Sequence, residues 1–588
     1  MQLGTCPDDR RVENAVRQLL DGSSRLGGMR GETHATKLHL SVKRDAVPHP
    51  DGYRLDVRNR EVAIVGGSAA GCFYGLKTLE QLVRVFRDEP SLPCGTILDW
   101  PDFDTRGLLH DVTRGKVPTL ATLKLLADRL AMLKVNQLQL YIEHAFTFAF
   151  DPDICDADHG LTPDEIRELD RYCAERFIEL VPAVANLGHM GRILSLPRYR
   201  HLAEIAPTKS WDEMNWPERA RGFTLDCVNP ESSELIERIW TEILDCFSSP
   251  VVNICGDEPW DLGKGKNRHL ASPREIGEAY LGHIRRVHEF CASRGRRTQF
   301  WSDVVRNHPD LFDRVPRGST VLHWGYDDRA DYEGTRAFVE TGLDTIVCPG
   351  TSGWKRIVNA MDLAERNIHM FVAAGHRHGA SGLVNTDWGD HGHFNALACS
   401  WHGIALGAAH GWRADHSCGV EFDTRFAGMG WGLSSVEEVA LLREVSSPVE
   451  TCETWRLFWM PLADSSEDAT FPTMEMADRA AEAARRLRVI LDDRREDSAA
   501  SDLDRRELAN ACRFTELFAD KIAIGHARSS GSAEIARDFE RNLKNAWEAY
   551  AAVWTDRNKP SGLADIGSAL ERVSADCESS ADCVVAAG

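Results

Sequence analysis

The sequence predicts an α/β fold: a closed (β/α)8 TIM barrel, preceded by a small N-terminal α/β domain and followed by a C-terminal helical region. Three observations predict it. Between Arg106 and Trp412, eight short apolar strands alternate with helical stretches, the rhythm of repeated βα units. Polar and aromatic residues gather at or just after the strands, at the end where this fold keeps its functional groups. After about Trp412 the strands stop and strong helix formers take over. The expected divisions are 1–100, 101–425 and 426–588.

The first hundred residues read as strands and one helix. Lys37–Val42 and Glu61–Val65 have strand composition, and Pro48–Gly52 is a turn. Ser68 to Phe86 is an amphipathic helix: Ser68 can cap it, and Phe73, Leu76, Leu79, Leu82, Val83 and Phe86 recur at helical spacing. A Pro-containing stretch, 90–101, separates this unit from the barrel.

The eight strands are predicted at Leu108–Val112, Gln137–Ile142, Leu180–Val184, Val251–Ile254, Thr298–Trp301, Thr320–Trp324, Thr345–Cys348 and Gly382–Thr386. Helices are expected over Thr119–Leu133, Thr162–Phe177, Glu231–Cys246 and Ile276–Arg294. Beyond the barrel, Val436–Val445, Thr473–Arg495, Ser501–Ala527 and Ser532–Val553 read as helices, and the tail beyond Ser574 as disordered.

Composition narrows the function. The 588 residues are 43% hydrophobic and 27% charged, which excludes collagen-like, low-complexity and fully disordered classes. A net charge of −21 repels phosphate backbones and anionic membranes, so neither nucleic acid nor a membrane is an expected partner. The N-terminus lacks the apolar core of a signal peptide, and no run of about 18 apolar residues exists. The 16 Cys are scattered without a CxxC pair, so a cytoplasmic chain with reduced thiols is expected. Tryptophan outnumbers tyrosine, 16 to 9; indoles fill cores, but their flat faces also stack on sugar rings. HExxH, Walker A and GxGxxG motifs are absent, and His376, His378, His391 and His393 read as loop histidines without a metal.

The strand ends carry Asp111 and Arg114, Glu143 and His144, Asn186 and His189, Asp257 and Glu258, Trp301 and Asp303, Trp324 and Tyr326, Trp354, and Asp387, Trp388 and Asp390. The sharpest signal is Asn253–Glu258. Two adjacent carboxylates at a strand end can divide their labour, one as proton donor to a leaving group, the other as orienter of a neighbour. Crowded like charges raise a carboxyl pKa toward the range a general acid needs. Asp111 and Arg114 read equally well as a structural ion pair.

These blocks resemble glycoside hydrolase family 20, the β-N-acetylhexosaminidases. The likeness runs from about Gly66 to Leu563. Gly71–Leu82 looks like the helix closing that family's small, zincin-like N-terminal domain, Arg106–Arg114 like its first barrel strand, and Gly256–Glu258 like its catalytic pair. Trp554–Leu563 is similar to the end of one bacterial branch.

The resemblance implies a retaining exo-hydrolase without an enzyme nucleophile, in which the substrate's 2-acetamido oxygen attacks the anomeric carbon to form an oxazolinium ion. It implies Glu258 as acid/base, Asp257 as the acceptor of the acetamido N–H, and Tyr326 as donor to the acetamido oxygen. Arg106 and Asp390 would hold sugar hydroxyls. Trp301, Trp324 and Trp388 would wall the sugar pocket, and His189 would polarise the carboxylates. A barrel tryptophan reads equally well as core packing, and Trp354 and Trp260 are candidate subsite walls.

No metal or organic cofactor is implied. The partner is an oligosaccharide or glycoconjugate ending in N-acetylhexosamine, and the C-terminal helices would either support the barrel or pair two copies as a homodimer. The chain departs from the better-known branch at Tyr141–His144, where that branch has His-Trp-His-x-x-Asp, and in lacking Asp-x-Pro-Gly-His at the third strand. Three rival readings share the barrel: another glycosidase, a catalytically silent sugar-binding barrel, and a metalloenzyme using His144 and His189.

Overall fold

The computed structural model describes residues 1–25, 36–86, 89, 91–329, 332–416, 418–461, 471–496, 498–526 and 533–587. The N-terminal domain contains β1 (Gln2–Thr5), α1 (Arg10–Arg25), β2 (Lys37–Val42), β3 (Tyr53–Arg58), β4 (Glu61–Gly66), α2 (Ala69–Val85) and β5 (Gly95–Asp99). Its sheet has the order β1-β2-β4-β3-β5. β1, β2 and β4 run parallel, and β3 is antiparallel to both β4 and β5. Alternation in β4 buries Val62 and Ile64, and α2 covers them with Phe73, Leu76 and Leu79. The Ser68 hydroxyl accepts the Gly71 N–H and caps α2 as its position predicts.

The barrel follows, opening with β6 (Thr105–Asp111), α3 (Leu120–Met132), β7 (Gln137–Ile142), α4 (Pro163–Ala174) and β8 (Glu179–Val184). A long β8 connection carries the short α5 (Gly191–Ser195) and α6 (Trp216–Ala220) before α7 (Pro230–Leu244). Then come β9 (Val251–Asn253), α8 (Pro273–Ala292), β10 (Arg297–Trp301), β11 (Thr320–Trp324), α9 (Glu333–Glu340), β12 (Asp344–Cys348), α10 (Met361–His378), β13 (Gly382–Asp387) and α11 (Leu397–Trp412). All eight strands are parallel, and β13 pairs with β6 to close the cylinder. Every residue of β7 and β13 is buried, polar ones included: helices cover the outside, and inside the barrel the Gln139 amide donates to Gln299 Oε1 at 2.8 Å, while the Asn385 amide donates to Gly403 O at 3.0 Å. Thr119 and Thr162 cap α3 and α4, the latter in a reciprocal box with Glu165.

The C-terminal region is α12 (Val420–Ala427), α13 (Val436–Ser446), α14 (Thr454–Trp459), α15 (Met474–Asp493), α16 (Ala499–His526), α17 (Ala533–Arg557) and α18 (Leu563–Ala587). The expected helix limits Ala527 and Ser532, like Pro90, lie outside the described residues. Two expectations are corrected. The tail beyond Ser574 is not disordered: α18 continues to Ala587, and its buried stripe of Ile566, Ala569, Leu570 and Val573 extends past Ser574 to Cys577. His376 and His378 are not loop residues but form the last turn of α10, which stops at Gly379 with φ of 85°.

The helical region is tied to the barrel by buried charge and stacked rings. Asp504 of α16 pairs with Arg129 of α3 and Arg557 of α17, and accepts the Trp401 indole N–H at 3.1 Å. The Phe394 ring, in the loop after β13, lies between Trp455 at 4.0 Å and Tyr550 at 4.6 Å, both nearly coplanar with it. Among the described residues no helix is long and apolar enough to cross a membrane.

Candidate active site

At the C-terminal strand ends lies a cavity of about 210 Å³ lined by Arg114, Asp257, Glu258, Trp301, Trp324, Tyr326, Trp354, Trp388 and Asp390, which come from six of the eight strands. Its floor is the barrel's apolar interior, where Leu109, Tyr141, Cys255, Leu322 and Val384 pack beneath the indoles. Trp301 and Trp388 stand 5.8 Å apart and tilted, Trp324 stacks on Tyr326 at 5.2 Å, and Trp354 meets Tyr326 tilted at 4.8 Å. Of the nine residues assigned from the sequence, seven line this cavity. His189 lies against it through the two carboxylates.

Arg106 is the exception. It stands at the opening of β6, the opposite end of the strand from the cavity, and is 1% exposed. Its guanidinium donates to Phe103 O at 2.9 Å and Lys134 O at 3.1 Å and pairs with Asp51 at 2.8 Å. Arg106 therefore fastens the N-terminal domain under the barrel. The arginine at the cavity end of the same segment is Arg114. It bonds Asp390 at 3.0 Å, Glu143 at 3.1 Å and Asp111 at 3.3 Å, with its charge over the Tyr141 and Trp388 rings. So the Asp111–Arg114 ion pair exists, and the same guanidinium lines the strand-end cavity.

The carboxylate pair sits on a strained turn. β9 ends at Asn253, whose side chain accepts the Cys255 N–H at 2.9 Å. The chain then enters the left-handed region at Cys255 (φ 46°), Gly256 (φ 83°) and Glu258 (φ 46°). Each non-glycine residue held there costs about 1–3 kcal/mol, a cost that clusters at functional sites. Asp303, from the β10 loop, accepts the Glu258 N–H at 2.8 Å and holds the turn. Gly188 packs so closely under it that a Cβ would stand 2.1 Å from the Asp257 carbonyl oxygen.

Electrostatics separate the two acids. His189 Nε2 lies 3.4 Å from Asp257 and 3.2 Å from Glu258, a shared charge contact rather than one well-aligned hydrogen bond. Burial works against a charged imidazole, but the Asp257 charge and contacts to both carboxylates outweigh it and raise the His189 pKa well above its usual value. Burial likewise acts to raise the Asp257 carboxyl, yet His189 and Arg114 hold it below the ordinary range. Asp257 is thus a buried, ionised acceptor. Asp303 goes the other way: burial, then the Asp257 charge, push it up to about 7. Trp388 Nε1 donates to the Tyr326 hydroxyl oxygen at 2.6 Å, which leaves the phenol's own proton for another acceptor.

A second cavity of about 530 Å³ opens outward and shares Arg114, Glu258 and Asp390 with the first. Three indoles line it: Trp211 and Trp216 from the long β8 connection, and half-exposed Trp260. His144 also lines it; burial pushes its pKa down to about 3, so it is neutral. The far wall comes from Ser561 and Gly562, in the C-terminal block singled out above, and from Asp565 just beyond it, which bridges to Arg219 at 2.6 Å. Sequence spacing gave no signal for Trp211, Trp216 or Asp565. A further cleft of about 450 Å³, between α1, α2 and the barrel flank, contains none of the strand-end groups.

Two family descriptions match the chain: "Glycosyl hydrolase family 20, domain 2" over residues 5–100, and "Glycosyl hydrolase family 20, catalytic domain" over residues 103–370. A β-hexosaminidase of Akkermansia muciniphila is 27% identical over 332 residues, 50% of this chain and 63% of that relative, so the chain spans less than two thirds of that relative's length. Among solved structures, the Streptomyces plicatus N-acetyl-β-hexosaminidase superposes with a TM-score of 0.57 at 19% identity, over 73% of this chain and 89% of that one. The Flavobacterium johnsoniae chitobiase gives 0.59 at 15% identity over 94% and 95%. The second likeness takes in the C-terminal helices as part of a shared fold.

Proposed function

Since the chain belongs to glycoside hydrolase family 20, we propose that it is an exo-acting β-N-acetylhexosaminidase that removes terminal β-linked GlcNAc or GalNAc with retention of configuration. The observation that carries this reading is the split environment of the carboxylate pair. Asp257 is buried, ionised and paired with His189, whereas the Glu258 side chain is about a third exposed and faces both cavities.

In this mechanism the sugar enters the small cavity and the leaving group lies in the larger one. Glu258, at their junction, protonates the glycosidic oxygen as the 2-acetamido oxygen attacks the anomeric carbon. Asp257 accepts the acetamido N–H, and its fixed negative charge stabilises the oxazolinium that forms. Tyr326 directs its phenolic proton to the acetamido oxygen, and the surrounding indoles press the acetamido group against the sugar ring. Confining the nucleophile to this geometry is itself a large rate effect. Glu258, now a carboxylate, then takes a proton from the water that opens the oxazolinium.

The test is release of nitrophenol from the β-GlcNAc and β-GalNAc glycosides by wild type and Glu258→Gln. Activity on at least one, falling roughly 10²–10⁴-fold in the variant, supports the assignment. A folded wild type inactive on both contradicts it.

A further inference from the structure

On the barrel flank, two helices and a loop bring together three metal-ligating side chains that line neither cavity of the candidate site. His369 lies midway along α10, His410 in the last turns of α11, and Cys418 in the connection to α12. Among the described residues, one ligand atom from each lies within 4.8 Å of the others. His410 Nε2 is 3.3 Å from Cys418 Sγ, and the His369 and His410 rings meet edge-on at 5.3 Å. A nitrogen and a sulfur bound to one tetrahedral zinc ion stand roughly 3.5 Å apart, given bond lengths of about 2.1 and 2.3 Å.

The tautomer of His410 also suits a metal. Its Nδ1 is 3.3 Å from the Ala414 carbonyl oxygen. A carbonyl only accepts, so Nδ1 carries the proton and Nε2 presents a lone pair toward Cys418. Metal-bound histidines are usually oriented in this way, through a hydrogen bond from the other ring nitrogen. His410 is fully buried. The charges around Cys418 are Glu365, Asp423 and Arg443. Arg443 is itself paired with Glu365 at 2.9 Å and Asp423 at 3.1 Å. A divalent cation would supply the positive charge that a thiolate lacks there.

We propose that His369, His410 and Cys418 bind a zinc-class divalent metal ion that staples α10 to the α11–α12 connection. Two imidazoles and a thiolate suit zinc and its chemical relatives better than calcium or magnesium. His369 is exposed, so the fourth position is completed by water. On binding, the Cys418 thiol gives its proton to solvent and the ion sheds water; no other bond changes. The site is structural and independent of the hydrolytic reading.

Cobalt(II) titration of the full chain, purified without a histidine tag, tests the proposal. Wild type is expected to take one cobalt per chain, with a thiolate-to-cobalt charge-transfer band in the near ultraviolet. Cys418→Ala should abolish the band. His369→Ala, a change at an exposed position that leaves folding intact, should weaken binding at least about tenfold. No band in wild type at stoichiometric cobalt overturns the proposal. So does a band that persists in Cys418→Ala, or unchanged affinity in His369→Ala.

Discussion

The Nε2 atom of His189 stands 3.2 Å from the Glu258 carboxylate and 3.4 Å from that of Asp257. One buried imidazolium thus faces both acids of the candidate site, with Glu143 3.8 Å from its other nitrogen and Arg114 the nearby cation. Because its pKa is raised in the folded state, the stabilisation it gives is fully present below the unfolded value of about 6.5 and is lost as pH rises through the folded value. His189→Gln should therefore destabilise the protein most near pH 6, and the gap to wild type should narrow on the alkaline side. Denaturant unfolding of both proteins across this range checks it; a gap that widens with pH would contradict the charged state of His189.

Asp303 carries the opposite sign. Its folded pKa of about 7 exceeds the usual 3.8, so the folded protein binds the proton more tightly than the unfolded chain. Keeping Asp303 folded thus costs stability that is absent below about pH 4, grows through the interval and is complete above about 7. Asp303→Asn keeps an oxygen acceptor for the Glu258 N–H and removes the titration. It should gain stability over wild type as pH rises from 4 to 7, then hold a constant advantage, as read by thermal unfolding.

The two arginines of the first strand segment should separate stability from catalysis. Arg106→Met breaks the buried bonds to Asp51, Phe103 and Lys134. It should cost of the order of 3 kcal/mol in unfolding free energy while leaving KM near wild type. Arg114→Lys keeps a charge but loses the fork that reaches Asp390 and Glu143 together. It should raise KM for the hexosaminide several-fold. Equal KM effects from both would contradict the reassignment.

Gly188→Ala tests the turn that carries the acids. The added methyl would meet the Asp257 carbonyl oxygen at 2.1 Å, a backbone atom that cannot rotate away. Moving it by about 1 Å should lower kcat/KM about a hundredfold with the fold retained. Activity within twofold of wild type would mean that the placement of Asp257 is not critical.

Much of this architecture is legible from the sequence for a physical reason. Parallel strands buried on both faces are written as short apolar runs, and Ser68, Thr119 and Thr162 announce their helices by capping chemistry. The carboxylate turn is legible because Gly256 and two adjacent acids closely follow the end of a strand. Arg106 is not legible in this way: a strand has two ends, and a motif with an arginine at each does not say which end faces the cavity. The rule that barrel chemistry lies at C-terminal strand ends points to Arg114 instead. The outer cavity is another matter. Trp211, Asp565 and Ser561 meet only through the packing of α18 and the β8 connection, and no local pattern encodes such a meeting. The brace on the Trp388 and Asp390 loop is equally non-local, since it depends on Phe394 lying between Trp455 and Tyr550.

The most direct measurement is the comparison of nitrophenyl N-acetyl-β-glucosaminide with nitrophenyl β-glucoside, which lacks the acetamido group, using wild type and Asp257→Asn. If the substrate supplies the nucleophile and Asp257 steadies it, wild type hydrolyses the first and leaves the second essentially untouched, and the variant loses most of that activity. Comparable hydrolysis of the glucoside, or an Asp257→Asn enzyme as fast as wild type, would contradict substrate-assisted catalysis at this site.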